Sequence, residues 1–442
     1  MGLYSIVRSA RWFASNYPAD KYARLLKASA AWSREQLENY RNNKLRRLIA
    51  YCYENVPYYR SVMENRQVRP EEIKCAEDLA RLPVLTKDVI RSHTNQLLAK
   101  NVSDMAVTWA RTGGTTGERI QVCRSGECSA WSSMCMERGL KWGGKNVDEP
   151  MIQLFGGTLG IDKVSLANQI GRTFRGDLFI PAYEVRADNA MSYFGKIRRS
   201  KCRFIIGYPS VIHRLATLAR ELDQDIKFAV AFPTAELLLP EWEETIRKTF
   251  KCSVLPYYGC GEVNSLGFSA PGTSGYLIPE EHALIEVMQG DGITQLYGEG
   301  KFLVTDLDNY AMPIIRYANG DAGKICGPNG QFPFSRIERL DGRCNSLLIT
   351  DKGDLISGVI GVSVFRFTSS VKSYRIIQEE PLQISIKIVP KADDVSADDK
   401  RLILGLFKKY LGNKMSISIE KVPDLPAPPS GKSVFVVNHC LQ

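Results

Sequence analysis

The sequence predicts an α/β protein: a doubly wound, largely parallel sheet in a large N-terminal domain, followed by a small α+β domain. Three observations carry this. Short apolar runs at 204–206, 228–232 and 253–255 alternate with helical stretches that begin at Pro209 and near residue 240, the rhythm of a parallel sheet with crossover helices. The chain has 442 residues, beyond the length at which one core usually divides. From residue 343 onward the pattern changes to strands at 374–377, 384–389 and 416–420 around a helix containing Leu402, Leu404, Leu406 and Phe407. The expected domains are therefore 1–342 and 343–442.

Taken in order, the first hundred residues read as mostly helical. Ser33 and Gln36 form a capping box, and Leu37, Tyr40, Leu45, Leu48, Ile49 and Cys52 share one face of a helix that Val56-Pro57 stops. Pro209 stands at the first turn of the next strong helix, where proline is tolerated. Ligands of doubly wound sheets sit beyond the carboxyl ends of the strands. Two polar-tipped segments follow such strands, PTAE at 233–236 and YYGCGE at 257–262.

Composition narrows the class. Apolar residues make up 44% and charged residues 24% of the chain, ordinary for a soluble globular protein. Eleven cysteines are scattered singly without a CxxC pair, the usage of a reducing compartment. No apolar run is long enough for a membrane span, and the opening MGLYSIVRSARWF is too polar for a signal peptide. A cytoplasmic location is expected. The basic stretch at 4–12 could lie on an anionic membrane, although a plain docking helix is the simpler reading. The helical N-terminal region is also a candidate homodimer surface. Net charge is +10, but lysine and arginine are spread along the whole chain. A nucleic-acid binder concentrates them, so no nucleic-acid partner is expected, and a polyanionic small ligand fits as well.

At 111–120 the chain reads RTGGTTGERI. A Walker loop needs a lysine directly after its last glycine, and here Glu118 and Arg119 follow Gly117. The other candidate, Gly431-Lys432-Ser433, has Pro426 where the first glycine belongs and runs into an apolar β-like stretch. What remains at Thr112, Gly113, Gly114, Thr115, Thr116 and Gly117 is a glycine–hydroxyl loop able to bind anionic oxygen without its own cation. A flexible turn would explain the glycines but not three threonines.

Other stretches have a sharp and a bland reading each. In YYGCGE, Tyr258 could face a flat base, Gly259 allows close approach, and Glu262 could hold Mg²⁺ through oxygen; a solvated surface loop is the alternative. In NYAMPIIRYANGD at 309–321, Asp321 could accept ribose hydroxyls, or the segment is a turn with an Asx cap.

The order TGGTTG, TAE, YGCGE, RYANGD, DGR, PSGK resembles the adenylate-forming (AMP-binding) superfamily, more narrowly the phenylacetate–CoA ligase branch and its CapK-like proteins of polysaccharide biosynthesis. VPYYR, LPVLTK and NYAMPIIRY are similar to that subgroup's pattern, and the likeness runs from about Trp32 to Lys432. The resemblance implies doubly wound mixed sheets of the adenylate-forming type with a mobile C-terminal domain. It implies an AMP-forming ligase that activates a small or aromatic carboxylic acid with MgATP and passes the acyl group to a thiol, commonly coenzyme A, in polysaccharide or secondary-metabolite biosynthesis. By the same resemblance, residues 112–117 hold the ATP phosphates and Thr116 acts in catalysis. Ala235 and Glu236 border the adenine, Tyr258 stacks on it beside Gly259, Glu262 binds Mg²⁺, Asp321 takes the ribose hydroxyls, and Arg343 lies near ribose or phosphate. Phe155, Gly156, Gly157, Tyr208 and Pro209 fall in segments that line the acyl site, and Lys432 swings in from the C-terminal domain as the catalytic cation.

Four departures stand out. The loop's usual Lys-Pro is Glu118-Arg119, the hydroxyl residue before the glutamate is Gly261, and the hinge residue is Asn345. At 269–279 the Cys and His that relatives often carry are missing, so no zinc is expected there. Two alternatives stay open: transfer of the adenylate to a carrier-protein thiol or a sugar amine, and a nucleotide-binding scaffold that no longer turns over.

Overall fold

The computed structural model describes residues 19–111, 120–155, 176–182, 185–289, 292–330, 332–341, 347–353, 355–365, 367–425 and 436–441. The chain enters through α1 (Ala19–Ser29), α2 (Arg34–Asn55) and α3 (Pro57–Asn65). Ser33 Oγ accepts from the Gln36 N–H at 3.1 Å and Gln36 Oε1 accepts from the Ser33 N–H at 2.8 Å, so the capping box closes in both directions. Leu37, Leu45, Leu48, Ile49 and Cys52 are buried as the periodicity requires. Arg41 is buried on the same helix because Glu280 receives it, Nη1 to Oε2 at 2.6 Å. Two short helices, α4 (Lys87–Ser92) and α5 (Thr94–Leu97), complete this region.

A hairpin follows, β1 (Val107–Arg111) against β2 (Gln121–Ser125), with Arg111 opposite Gln121 at its open end. Ser125 caps α6 (Gly126–Trp142) by accepting from the Cys128 N–H at 3.1 Å. The parallel sheet comes next: β3 (Met151–Phe155), β4 (Leu178–Pro181), α7 (Ala190–Arg199), β5 (Phe204–Gly207), α8 (Pro209–Glu221), β6 (Val230–Pro233), α9 (Pro240–Phe250) and β7 (Ser253–Val254). Its order is β4-β3-β5-β6-β7 with every neighbouring pair parallel. Strands β5 and β6 are buried throughout, which is why they read as unbroken apolar runs. The second expected run starts later than its composition suggests, because Phe228 packs its ring edge-on against Phe250 at 5.0 Å instead of entering the strand.

A second sheet is antiparallel, in the order β12-β11-β13-β14-β15-β10-β9-β8. Its strands are β8 (Tyr257–Tyr258), β9 (Gly267–Phe268), β10 (Tyr276–Leu277), β11 (Ala283–Met288), β12 (Thr294–Gln295), β13 (Gly298–Asp306), β14 (Tyr317–Cys326) and β15 (Arg336–Leu340). The turn expected around Asn319-Gly320-Asp321 lies inside β14. Gly320 adopts φ +89°, and Phe302 alone stands opposite 319–321 where the β13–β14 register shifts. The local Asx bond of the turn reading is present as well, Asp321 N–H to Asn319 Oδ1 at 3.0 Å, so the segment is a bulge within a strand.

Beyond this sheet, β16 (Leu347–Ile349) and β17 (Leu355–Ser357) pair as a hairpin before α10 (Val359–Phe365). Strands β18 (Val371–Glu380), β19 (Gln383–Pro390), β20 (Ser416–Lys421) and β21 (Val436–Asn438) form a mixed sheet in the order β20-β19-β18-β21, with α11 (Ala397–Leu411). Leu348, Ile360, Phe365, Ile376, Ile386 and Phe407 belong to a core of its own. The described cysteines are free thiols. No described helix is long and apolar enough to cross a membrane.

Candidate active site

The carboxyl ends of the parallel strands bring together residues that are far apart in the chain. Strand β3 ends in Phe155, β5 leads through Tyr208 into α8, and β6 leads into Thr234-Ala235-Glu236. Gly207 keeps β5 close to its neighbour: a Cβ there would lie 2.4 Å from the Leu154 carbonyl oxygen. Phe155 and Tyr208 meet ring edge to ring face at 5.6 Å, beside Pro209 at the first position of α8. Ala235 takes the left-handed conformation, φ +70°. Glu236, next to it, turns Oε2 toward the start of α8, where it accepts from the Ser210 N–H at 3.3 Å. A carboxylate at a helix N-terminus is favoured by the exposed amides and the helix dipole. Glu236 thus lies beside Tyr208 at the start of α8.

The second half of the site comes from β8 and β14. Tyr258 donates its hydroxyl to Asp321 Oδ2 at 2.7 Å, and Asn319 Nδ2 donates to Tyr258 Oη at 2.7 Å and to Asp321 Oδ2 at 3.2 Å. Tyr317, two residues before Asn319, donates to Glu262 Oε1 at 2.7 Å. One strand therefore holds both ends of the YYGCGE turn, the tyrosine through Asn319 and Asp321 and the glutamate through Tyr317. Burial, reinforced by the Asp321 charge, pushes the Tyr258 phenol well above the ordinary tyrosine range, so it stays protonated and donating at neutral pH. Burial and the Glu262 charge likewise push the Cys260 thiol far up, which makes it inert as a nucleophile.

Two motif segments of the first half pack beneath this strand. Tyr59 of VPYYR donates to the Pro313 carbonyl at 3.0 Å and accepts from the Ile315 N–H at 3.2 Å. Leu85 of LPVLTK pairs on both sides of Tyr317, donating to the Arg316 carbonyl at 3.0 Å and accepting from the Ala318 N–H at 2.9 Å. Arg316 has φ +54° and binds Glu286 at 3.1 Å. Tyr317 is wholly buried.

Glu262 fits a magnesium ion. It is a buried carboxylate whose Oε1 is fixed by Tyr317, and Mg²⁺ needs few protein oxygens when phosphates and water complete its shell. A second acidic group, His282, Asp306 and Asp308, is occupied by the protein itself. Lys44 pairs with Asp308, and the two His282 ring nitrogens meet Asp308 at 2.8 Å and the Asn264 carbonyl at 3.1 Å.

The comparisons with known proteins agree with one another. Residues 348–439 match the CapK C-terminal domain family. Over 90% of this chain and 88% of the relative, the sequence is 23% identical to protein CapK of Staphylococcus aureus. It is 22% identical to the phenylacetate–coenzyme A ligase of Pseudomonas putida over 87% and 90% of the two chains. Its relatives are CapK and the phenylacetate–CoA ligases, and these support the adenylate-forming superfamily and that branch for this chain. The adenylate-forming fold is also evident in the likeness to 2-hydroxyisobutyryl-CoA ligase in complex with 2-HIB-AMP and CoA, at TM-score 0.63 and 17% identity over 93% and 92% of the chains.

Of the residues singled out by sequence, Phe155, Tyr208, Pro209, Ala235 and Glu236 share the parallel-sheet end, while Tyr258, Gly259, Glu262 and Asp321 share the β8–β14 network. Thr112, Gly113, Gly114, Thr115, Thr116, Gly117, Gly156, Gly157, Arg343 and Lys432 lie outside the described residues. Sequence reasoning missed Tyr317 and Asn319. Both carry a signal in hindsight, since they alternate with Asp321 as one strand face does.

Proposed function

We propose that this chain is an AMP-forming carboxylate ligase. A small or aromatic acid attacks the α-phosphorus of ATP through a carboxylate oxygen, the bond to the β-phosphate oxygen breaks, and pyrophosphate leaves. The acyl group then passes to the sulfur of coenzyme A, with AMP as the leaving group. The observation that carries this reading is the linked pair of contacts on β14, which holds a carboxylate for ribose (Asp321) and a carboxylate for a metal (Glu262) at the two ends of one turn.

In this reading Asp321 accepts the ribose hydroxyls, Tyr258 and Gly259 flank the base with Ala235, and residues 112–117 hold the phosphates with Thr116 at the reacting phosphoryl. Glu262 holds Mg²⁺, which when bound neutralises phosphate charge. Phe155, Tyr208 and Pro209, with Gly156 and Gly157, shape the acyl side. Arg343 sits at the junction of 1–342 with a mobile 343–442 domain. That domain brings Lys432 to the charge developing during adenylation and then withdraws it to admit the thiol. The motif likeness also supports a role in polysaccharide biosynthesis, and the singly scattered cysteines a reducing, cytoplasmic compartment.

The test is ATP–pyrophosphate exchange across a panel of acids, with and without coenzyme A. Acid-dependent exchange followed by CoA-dependent AMP release is expected. Exchange that needs an acid but ignores CoA would move the acceptor to a carrier-protein thiol or an amine. No exchange with any acid would end the ligase reading.

A further inference from the structure

Two phosphate contacts common in this superfamily are absent from the sequence: Glu118-Arg119 replaces Lys-Pro after the loop, and Gly261 replaces a hydroxyl residue before the glutamate. Arg124 on β2 stands where the second of these is lost. Its Nη2 donates to the Gly261 carbonyl oxygen. With the Asn264 amide oriented so that its nitrogen donates to the Cys260 carbonyl at 3.0 Å, the amide oxygen accepts from Arg124 Nη1 at 3.0 Å. Those contacts use two of the five N–H donors of a guanidinium.

Other arginines of the fold behave differently. Arg34 and Arg41 bind Glu280, Arg138 binds Glu281, and Arg316 binds Glu286. Among the described residues no carboxylate pairs with Arg124, which is held through neutral oxygens alone. Such props fix the guanidinium plane and leave its charge for something else. Their position says for what. Along the YYGCGE turn, Tyr258 marks the nucleoside end through its bond to Asp321, and Glu262 marks the phosphate end. Arg124 attaches at Gly261, beside Glu262.

We infer that Arg124 is a phosphate-binding cation of this site, gripping oxygens beyond the α-phosphate with its planar fork. The inference rests on the ligase reading above and gives its nucleotide site a fixed cation distinct from Lys432.

Equilibrium titration of ATP and of AMP, each into wild type, Arg124→Gln and Arg124→Lys, separates this role from that of a strut for the turn. Arg124→Gln is expected to lose about tenfold or more in ATP affinity while AMP affinity stays within about twofold, and Arg124→Lys to fall between. Should Arg124→Gln not fold, a selective loss of ATP over AMP in Arg124→Lys carries the same information. Equal loss of both nucleotides would make Arg124 a strut, and unchanged ATP affinity would remove it from the site; either overturns the inference while the ligase reading stands. Wild type that binds neither nucleotide would overturn that reading, and this one with it.

Discussion

The hydroxyl of Tyr317 donates to Glu262 Oε1 across 2.7 Å, and both residues are buried. Fifty-five positions separate them in the chain, yet this bond fixes the carboxylate assigned to the magnesium ion. Tyr317→Phe leaves the ring packing intact and removes the donor. Hydrogen bonds to charged groups contribute about 1.5–3 kcal/mol, so the magnesium concentration for half-maximal exchange should rise roughly tenfold, with a smaller change at saturating metal. A variant with an unaltered magnesium requirement would show that Glu262 is positioned by other means.

Lys432 is assigned to the transition state, not to binding. Lys432→Ala should slow acid-dependent exchange by a factor on the order of 10²–10³, as for loss of one preorganised contact, with ATP affinity and melting temperature close to wild type. An equal loss of ATP affinity would make Lys432 a ground-state contact.

Much of this was legible in the chain, and the limits have physical causes. The capping box at Ser33 and Gln36, the first-turn proline at 209 and the apolar strands β5 and β6 are local signals, and the structure repeats them. The antiparallel sheet is built from pairings between distant segments. Several of its strands have two residues, too short to show alternation. The stretch at 319–321 looked like a turn because Asn, Gly and Asp are turn residues. Only its partner strand β13 reveals it as a bulge. Arg41 was unreadable as a core residue for the same reason, since its partner Glu280 lies 239 positions away.

Ala235 is held at φ +70°, where a non-glycine residue is strained by about 1–2 kcal/mol. Ala235→Gly should stabilise the protein by up to about 1 kcal/mol, while Ala235→Val, stiffer at its β-carbon, should cost about 1–3 kcal/mol. Thermal unfolding distinguishes them, and indistinguishable melting temperatures would contradict the strain.

Two buried groups shape the pH dependence of stability. Burial opposes ionisation of Glu280, but Arg34 and Arg41 outweigh it and hold the carboxyl below its ordinary 4.5. Its contribution is complete above that value and is lost as pH falls through the lower folded value. Burial also opposes the charge on His282, and the hydrogen bond to Asp308 outweighs it, holding the imidazole above its ordinary 6.5. That contribution is complete below 6.5 and is lost as pH rises through the raised folded value. Melting curves should therefore show Glu280→Gln flattening the acid limb and His282→Gln flattening the decline above neutrality. Curves parallel to wild type would refute both assignments.

The central claim is that Asp321, Tyr258 and Glu262 surround one nucleotide. A crystal structure of the protein soaked with AMP tests it most directly. The ribose hydroxyls are expected within hydrogen-bonding distance of the Asp321 carboxylate, with the base beside Tyr258 and the phosphate toward Glu262. AMP bound elsewhere, with Asp321 touching only Tyr258 and Asn319, would contradict the account.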